Sequence, residues 1–334
     1  MRTLLYPPTV RWDWMRQRPH HLLTRAARSG YRVVWVEPQP QPGVPAVREV
    51  EENLVVVNDG ARLSSVLTGA VGAYISSPVS LAQMPGLRQT AQTLVFDYMD
   101  NCPHWEPHVA SALSVADVVL ASSRQLWERA RQLRPDALLI PNGVEFSAFS
   151  EPAPEPFDLA LIPHPVALYA GAIDDWIDAV LLLQLAKQLP ELSIVVVGPH
   201  IGSALLQQFP WPPNLFCLGH RPYRELPGYL HAASVLLLPF VQSTTTEAVN
   251  PCTLWEYLAV GKPVVSTPLR EVLPLSGLDG ALTVAPTQRG FIEAVLRAVR
   301  DGRESPLGRA VALNNDWDRR WVQIQGKLEE VWKL

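Results

Sequence analysis

Short apolar, β-branched runs alternate with helical ones along most of the chain. Thr3-Leu-Leu-Tyr6 reads as a strand, residues 18–29 as a helix, and Arg32-Val-Val-Trp-Val36 as a strand again. Further strands are expected at 54–57, 73–75, 94–96 and 118–121, and the half closes with Leu138-Leu-Ile-Pro-Asn-Gly143, a strand followed by a turn dipeptide. Strand and helix in turn mean a parallel sheet with helices on both faces, because each parallel connection has to cross over. A second round starts at Val166-Ala-Leu-Tyr-Ala170. It continues with a helix over 176–189, strands at 193–197, 215–218 and 235–238, a helix from Asn250 and a strand at 264–265. The fold class is therefore α/β, with two doubly wound, Rossmann-like parallel sheets. The expected limits are a first domain over 1–150, a linker over 151–165 that holds five prolines, a second domain over 166–315, and a helical tail over 316–334. In the tail, Trp317, Trp321, Val322, Ile324, Leu328 and Val331 form the expected apolar face.

Composition adds limits rather than a function. The 334 residues are 48% hydrophobic and 18% charged, which is ordinary for globular domains. A net charge of −4 gives no bias toward nucleic acid. The charge is uneven, however: residues 1–36 carry seven arginines against the single acid Asp13. That basic stretch is either a surface facing anionic lipid or a lipid-phosphate acceptor, or an arginine-rich solvated helix. Cys102, Cys217 and Cys252 lack the spacing of a disulfide framework or a zinc site, which fits a reducing cytoplasm. The N-terminal apolar run is too short for a secretory signal, and no stretch approaches the ~20 apolar residues of a spanning helix. Any membrane contact is expected to be peripheral, at the inner face.

Residues 250–266 carry the most chemistry. Leu254, Tyr257 and Leu258 share a helix face at i, i+3, i+4, Gly261 supplies the positive φ that ends a helix, and Pro263 forbids continuation. One carboxylate, Glu256, is left on that helix. Ahead of it, Ser243-Thr-Thr-Thr246 and Asn250-Pro251 form a polar loop, with Asn250 able to cap and Pro251 suited to the first turn. Unpaired amides and the positive end of the helix dipole would then face whatever lies above, and a phosphate suits them.

The stretch Glu256-Tyr-Leu-Ala-Val-Gly-Lys-Pro-Val-Val265 resembles the donor-binding signature of retaining GT-B glycosyltransferases of the family-4/family-1-like group. Six other segments resemble the same family in order: 14–20, 31–38, 116–123, 140–145, 169–171 and 315–319. The resemblance implies a GT-B fold whose two sheets face a cleft, transfer with retention, and no cofactor or metal. The substrate it implies is a nucleoside diphosphate sugar, of UDP type. Glu256 would hold the ribose, with the amides around Thr253 and Leu254 near the diphosphate. Many members carry a glutamate at the place of Ala248; the nearest acid here is Glu247, placed among the candidate catalytic residues. Members also carry an arginine and a lysine after the first strand of the second domain, where this chain reads Gly171-Ala-Ile-Asp-Asp-Trp-Ile-Asp178, and a lysine where Thr253 stands. Phosphate charge would then fall to helix amides and to an arginine from elsewhere, with Arg221 as the candidate.

Ligands of such sheets collect beyond the carboxyl ends of the strands. After the first strand come Trp12, Asp13, Arg16 and Arg18, an acceptor-side set of ring faces and phosphate-binding arginines, or else packing and solvation. After residues 94–96 come Asp97, Asp100 and His104; Asp100 and His104 are candidate catalytic residues contacting donor sugar or acceptor, or the two acids cap the next helix. Ser122 and Ser123 are either helix cap or cleft lining, and Asn142-Gly143 is a tight turn or a ligand contact. Gly171, Gly198, His220, Arg221 and Asn250 complete the donor set, Gly198 because a glycine lets a ligand approach the backbone. His20, His21 and His231 read as ordinary packing or surface residues. The expected partners are the nucleotide sugar, a glycan or glycolipid acceptor, either lipid-linked or a polysaccharide, and anionic membrane. Two other readings are a sugar-nucleotide epimerase on the same fold and a non-catalytic nucleotide-sugar binder.

Overall fold

The computed structural model describes residues 2–202, 211–278 and 280–332. The chain divides into two compact units, residues 1–142 with 317–334 and residues 143–316.

The first unit holds an eight-stranded sheet of β1 (Arg2–Tyr6), β2 (Arg32–Val36), β3 (Val47–Glu51), β4 (Leu54–Val57), β5 (Ala70–Ile75), β6 (Thr93–Tyr98), β7 (Val118–Ala121) and β8 (Leu138–Leu139). Their order is β3-β4-β2-β1-β5-β6-β7-β8, parallel except for the antiparallel β3 at the edge. The central strands are buried on both faces, as expected where helices cover a parallel sheet. β3, Val-Arg-Glu-Val-Glu, is too polar to read as a strand; it forms as half of a hairpin that turns at Asn53, in the left-handed region at φ 62°.

The tail helix Trp317–Val331 packs in this unit against the helix Arg18–Arg28. Trp317 stacks on His21 with ring centres 5.0 Å apart, the Trp321 indole donates to Ser29 Oγ at 2.8 Å, and Arg25 pairs with Asp318 at 2.6 Å. Its buried face is Trp317, Trp321, Ile324 and Leu328, spaced 4, 3 and 4 residues apart. Val322, expected on that face, falls off the spacing and is exposed; Val331 keeps the spacing but is the last residue of the helix and is exposed as well.

The second unit holds β9 (Val166–Ala170), β10 (Ser193–Val197), β11 (Leu215–Gly219), β12 (Val235–Leu238), β13 (Val264–Ser266) and β14 (Leu282–Val284). All are parallel, in the order β11-β10-β9-β12-β13-β14. The helix expected from residue 176 starts at Ala179, because Asp178 caps it by accepting from the Leu181 amide at 2.8 Å. Residues 151–165, expected as a linker, lie within this unit. Leu159 and Ile162 are buried in its core, and Asp158 is held by Arg221 and Tyr229.

Candidate functional site

The helix Cys252–Val260 joins β12 to β13. It stops at Gly261, whose φ of 85° is left-handed, and its last carbonyl, of Val260, accepts from Arg309 Nη2 at 2.9 Å. At the other end Pro251, not Asn250, is the capping position, and no side chain caps the helix. The Asn250 side chain is used elsewhere: its Oδ1 accepts from the Trp255 indole at 3.1 Å, and its Nδ2 reaches Glu271 at 3.5 Å. The Leu254 amide, expected near a diphosphate, is taken by the Pro251 carbonyl at 3.2 Å, and the Leu254 side chain is core. Half-buried Cys252 and Thr253 are the residues of the first turn that reach the surface.

Glu256 lies one turn further in and is 6% exposed. Burial pushes its carboxyl up to about 7, Glu145 adds to the rise, and the nearby Tyr223 hydroxyl opposes it. A buried acid poised near neutrality on an otherwise apolar helix is costly unless something uses it. The next residue fixes the helix in place: the Tyr257 hydroxyl accepts from the Ala170 amide at 2.7 Å, at the end of central strand β9. Tyr223 stands at the end of Gly219-His-Arg-Pro-Tyr223, so the exit of β11 meets Glu256 through that phenol. His220 is exposed in the same turn.

Several expected donor residues have other work. The Arg221 guanidinium donates to Asp158 Oδ2 at 2.6 Å and, through Nε, to the Tyr229 hydroxyl at 2.9 Å, so a phosphate would have to displace a carboxylate there. Gly198 does not open a path for a ligand. A Cβ built on it would lie 1.8 Å from the Gly171 carbonyl oxygen, and one on Gly171 would lie 2.6 Å from the Tyr169 hydroxyl. Gly198 is required because the exits of β9 and β10 close on each other, and Gly171 because the Tyr169 ring of its own strand lies against it. In the loop before the helix, the Thr246 hydroxyl donates to the Val241 carbonyl at 2.6 Å. This turn buries Ala248 and leaves Glu247 exposed, so the acid one step away does not take the inward position.

The first unit changes its reading more. Arg18 is 3% exposed; its Nε donates to both oxygens of buried Asp97 at 2.7 and 3.0 Å, and its Nη1 donates to Asn142 Oδ1 at 3.0 Å. The Tyr74 hydroxyl adds a 2.5 Å bond to Asp97. Arg18 is thus an internal strut rather than an acceptor contact. Asp13 pairs with Arg48, Trp12 packs against His20 and Trp35, and Arg16 lies over the Trp12 ring and bonds Thr24. His20 is buried, and its imidazole is lowered to about 4, first by burial and then by Arg16. Neither Asp97 nor Asp100 caps the helix Glu106–Val115, which has no side-chain cap. Asp100 turns back on the Asn101 amide at 2.7 Å, and burial raises its carboxyl. Ser123 does cap, accepting from Leu126.

The first unit also has a cavity of about 710 Å³, lined among others by Thr9, Gln39, Ser77, Gln83, His104 and Trp105. Of the named candidates only His104 lines it. Apart from Trp105, beside His104 after β6, the remaining lining comes from the segments after β1, β2 and β5, where Gln39, Ser77 and Gln83 carried no motif; their signal was position beyond a strand end. The lining contains no arginine, lysine, aspartate or glutamate. Among the described residues no cluster of His, Cys, Asp and Glu is arranged to hold a metal, and no helix is long and apolar enough to cross a membrane.

Two parallel-sheet α/β units of this kind define the GT-B glycosyltransferase fold. Sucrose-phosphate synthase of Thermosynechococcus elongatus superposes with a TM-score of 0.76 at 17% identity, covering 99% of both chains. HepE of Anabaena in complex with UDP gives 0.67 at 15% identity, over 99% of this chain and 100% of the other. Within that fold, residues 164–301 match the family model of glycosyl transferases group 1. A putative teichuronic acid biosynthesis glycosyltransferase, TuaH of Bacillus subtilis, is 33% identical over 134 residues, 39% of this chain. The match spans about a third, 34%, of that relative's length. Residues 250–266, which resemble a donor-binding signature, fall inside the family match.

Proposed function

We propose that the protein is a glycosyltransferase that moves a sugar, with retention, from a nucleoside diphosphate sugar to a hydroxyl of a glycan or glycolipid. UDP is the proposed nucleotide. The observation that carries this reading is Glu256, a buried acid behind an uncapped helix start that is tied to β9. Ionised, it accepts hydrogen bonds from two ribose hydroxyls, and their energy offsets its burial. The amides of Cys252 and Thr253 meet the diphosphate, whose negative charge grows as the sugar departs; a fixed helix terminus stabilises that growth without reorganising. In the step itself the bond from the anomeric carbon to the diphosphate oxygen breaks, a bond to the acceptor oxygen forms on the same face, and the acceptor proton leaves with the diphosphate.

The acceptor is assigned to the first-unit cavity, where Trp105 offers a ring face and Gln39, Gln83 and His104 offer hydrogen bonds to sugar hydroxyls. An uncharged lining suits the sugar end of an acceptor rather than a phosphate. The group 1 match over the donor half supports transfer, HepE with bound UDP supports the nucleotide, and TuaH, named for teichuronic acid biosynthesis, supports a polymer acceptor. Cytoplasmic placement and contact with the inner face of a membrane belong to the same proposal.

The test is calorimetric titration of UDP, GDP, ADP and dTDP, followed by turnover of the matching sugar nucleotides. UDP binding that Glu256→Ala abolishes, with a product of unchanged anomeric configuration by NMR, supports the reading. Binding without turnover would reassign the chain to a non-catalytic nucleotide-sugar binder.

A further inference from the structure

The second unit has a cavity of its own, of about 560 Å³, and neither Glu256, Tyr223 nor the helix Cys252–Val260 is among its lining. One wall is the segment Ala153–Asp158. The other comes from Arg221 to Tyr229, the stretch that leads from β11 into the helix Leu226–Ala232. The walls are tied to each other: Arg221 Nη2 donates to Asp158 Oδ2 at 2.6 Å, and the Tyr229 hydroxyl donates to Asp158 Oδ1 at 2.7 Å. Gly228 lets the backbones close, since a Cβ there would lie 2.5 Å from the Pro154 carbonyl oxygen. The cavity is therefore built into the unit, and its size suits a small ligand.

Its lining combines an open ring with uncommitted polar groups. Phe157 lines it and is 81% exposed, and Leu161, one turn on, is 70% exposed. Single exposed apolar residues need no explanation, but two a turn apart beside a cavity form a surface that a ligand can cover. Arg224 and Glu225 line the same cavity; both are exposed, and their side chains bond to no described residue. Charge is close to balanced, because Arg221 meets Asp158, His164 bonds Glu155, and Arg224 stands next to Glu225. A strongly charged guest gains little from such a lining. A guest with many hydroxyls gains more, since a guanidinium only donates and a carboxylate only accepts, while a hydroxyl does both. The Phe157 face can cover the C–H side of a sugar ring. Among the described residues no strand lines the cavity, so an extended peptide would find no sheet edge to join.

We propose that this cavity is a carbohydrate-binding subsite, in which Phe157 stacks on a sugar ring and Arg224 and Glu225 hold its hydroxyls. Its ligand is a neutral oligosaccharide, bound apart from the first-unit cavity assigned to the reacting hydroxyl. The choice of a saccharide over other neutral guests rests on the functional reading above, and a subsite of this kind keeps a glycan attached between transfers.

Saturation-transfer NMR titrations with maltohexaose, cellohexaose and chitohexaose test it on the wild type, Phe157→Ala, Arg224→Ala and Trp105→Ala. Octaproline serves as the peptide probe, and UDP is titrated in parallel. At least one of the oligosaccharides should bind the wild type. Phe157→Ala and Arg224→Ala should each weaken that binding about fivefold or more and leave UDP within about twofold, because both side chains are exposed and serve only this cavity. The proposal fails if no oligosaccharide binds, if Trp105→Ala removes the binding and Phe157→Ala does not, or if octaproline and not the sugars depends on Phe157. A wild type that binds oligosaccharide through Phe157 but not UDP keeps this subsite and overturns the functional reading. UDP binding without oligosaccharide binding does the reverse.

Discussion

The loop after β1 and the loop before Glu256's helix are both crowded with polar groups that bond within their own unit, and they differ in what lies behind them. Around β1, cations meet partners inside their own unit: Arg18 has Asp97 and Asn142, Arg25 has Asp318, and Asp13 has Arg48. Ahead of the Cys252 helix Thr246 and Asn250 have partners too, but the helix start has no side-chain cap, and a buried carboxyl behind it sits near neutrality. Charge density alone marks neither region as a site. What distinguishes them is the energetic debt that the folded chain leaves open, which a ligand can settle.

Substitutions should sort the two regions by opposite responses. The largest effect is expected from Arg18→Met, which strands the Asp97 carboxylate beneath Tyr74. Unfolding stability should fall by about 3–5 kcal/mol, and Asp97→Asn added to it should recover part of the loss, measured by urea denaturation. A UDP affinity that drops while stability holds would instead make Arg18 a ligand contact.

His20 gives the next largest effect, of roughly 3 kcal/mol at most. Its folded value of about 4 lies below the ordinary 6.5, so the unfolded chain takes up the proton first. The associated stability is complete above pH 6.5 and is lost as pH falls toward 4. His20→Gln should flatten that part of the stability profile by the same amount.

Glu256 should behave in the opposite sense. Its folded carboxyl holds a proton up to about 7, well above its ordinary 4.5, so burial costs stability increasingly as pH rises through that window. Glu256→Gln should therefore stabilise the protein by roughly 2–3 kcal/mol at pH 8 and change little at pH 4, while nucleotide binding is lost. In the wild type, UDP should bind more tightly as pH rises from 6 to 8, because the ribose hydroxyls need the ionised acid. A flat affinity over that range would remove Glu256 from the ribose. The smallest effect belongs to Asp13→Asn, which breaks a surface pair with Arg48 and should move stability by no more than about 1 kcal/mol.

The strands and helices were legible because buried parallel strands are continuous apolar runs, and residues 32–36, 193–197 and 235–238 have no polar interruption after their first residue. β3 escaped because an edge strand can afford alternate charges. The helix Cys252–Val260 was legible for a local reason: its stop at Gly261 and its lone acid lie within a few residues of each other. The basic loop stayed open between two readings for the opposite reason. Arg18 and Asp97 are 79 residues apart, and nothing in either neighbourhood announces the other. The same holds for Arg221, whose partner Asp158 lies in a proline-rich stretch that reads as a tether, and for the cavity lining, drawn from separate strand exits.

The near-collision of Gly198 with the Gly171 carbonyl sets where variation can occur. Two adjoining turns that interlock this closely tolerate neither insertion nor a side chain, so relatives have little freedom on that flank. Divergence in substrate choice should accumulate instead in the turns leaving β11 and β13, where Gly219 and Arg270 have open space or exposure to work with.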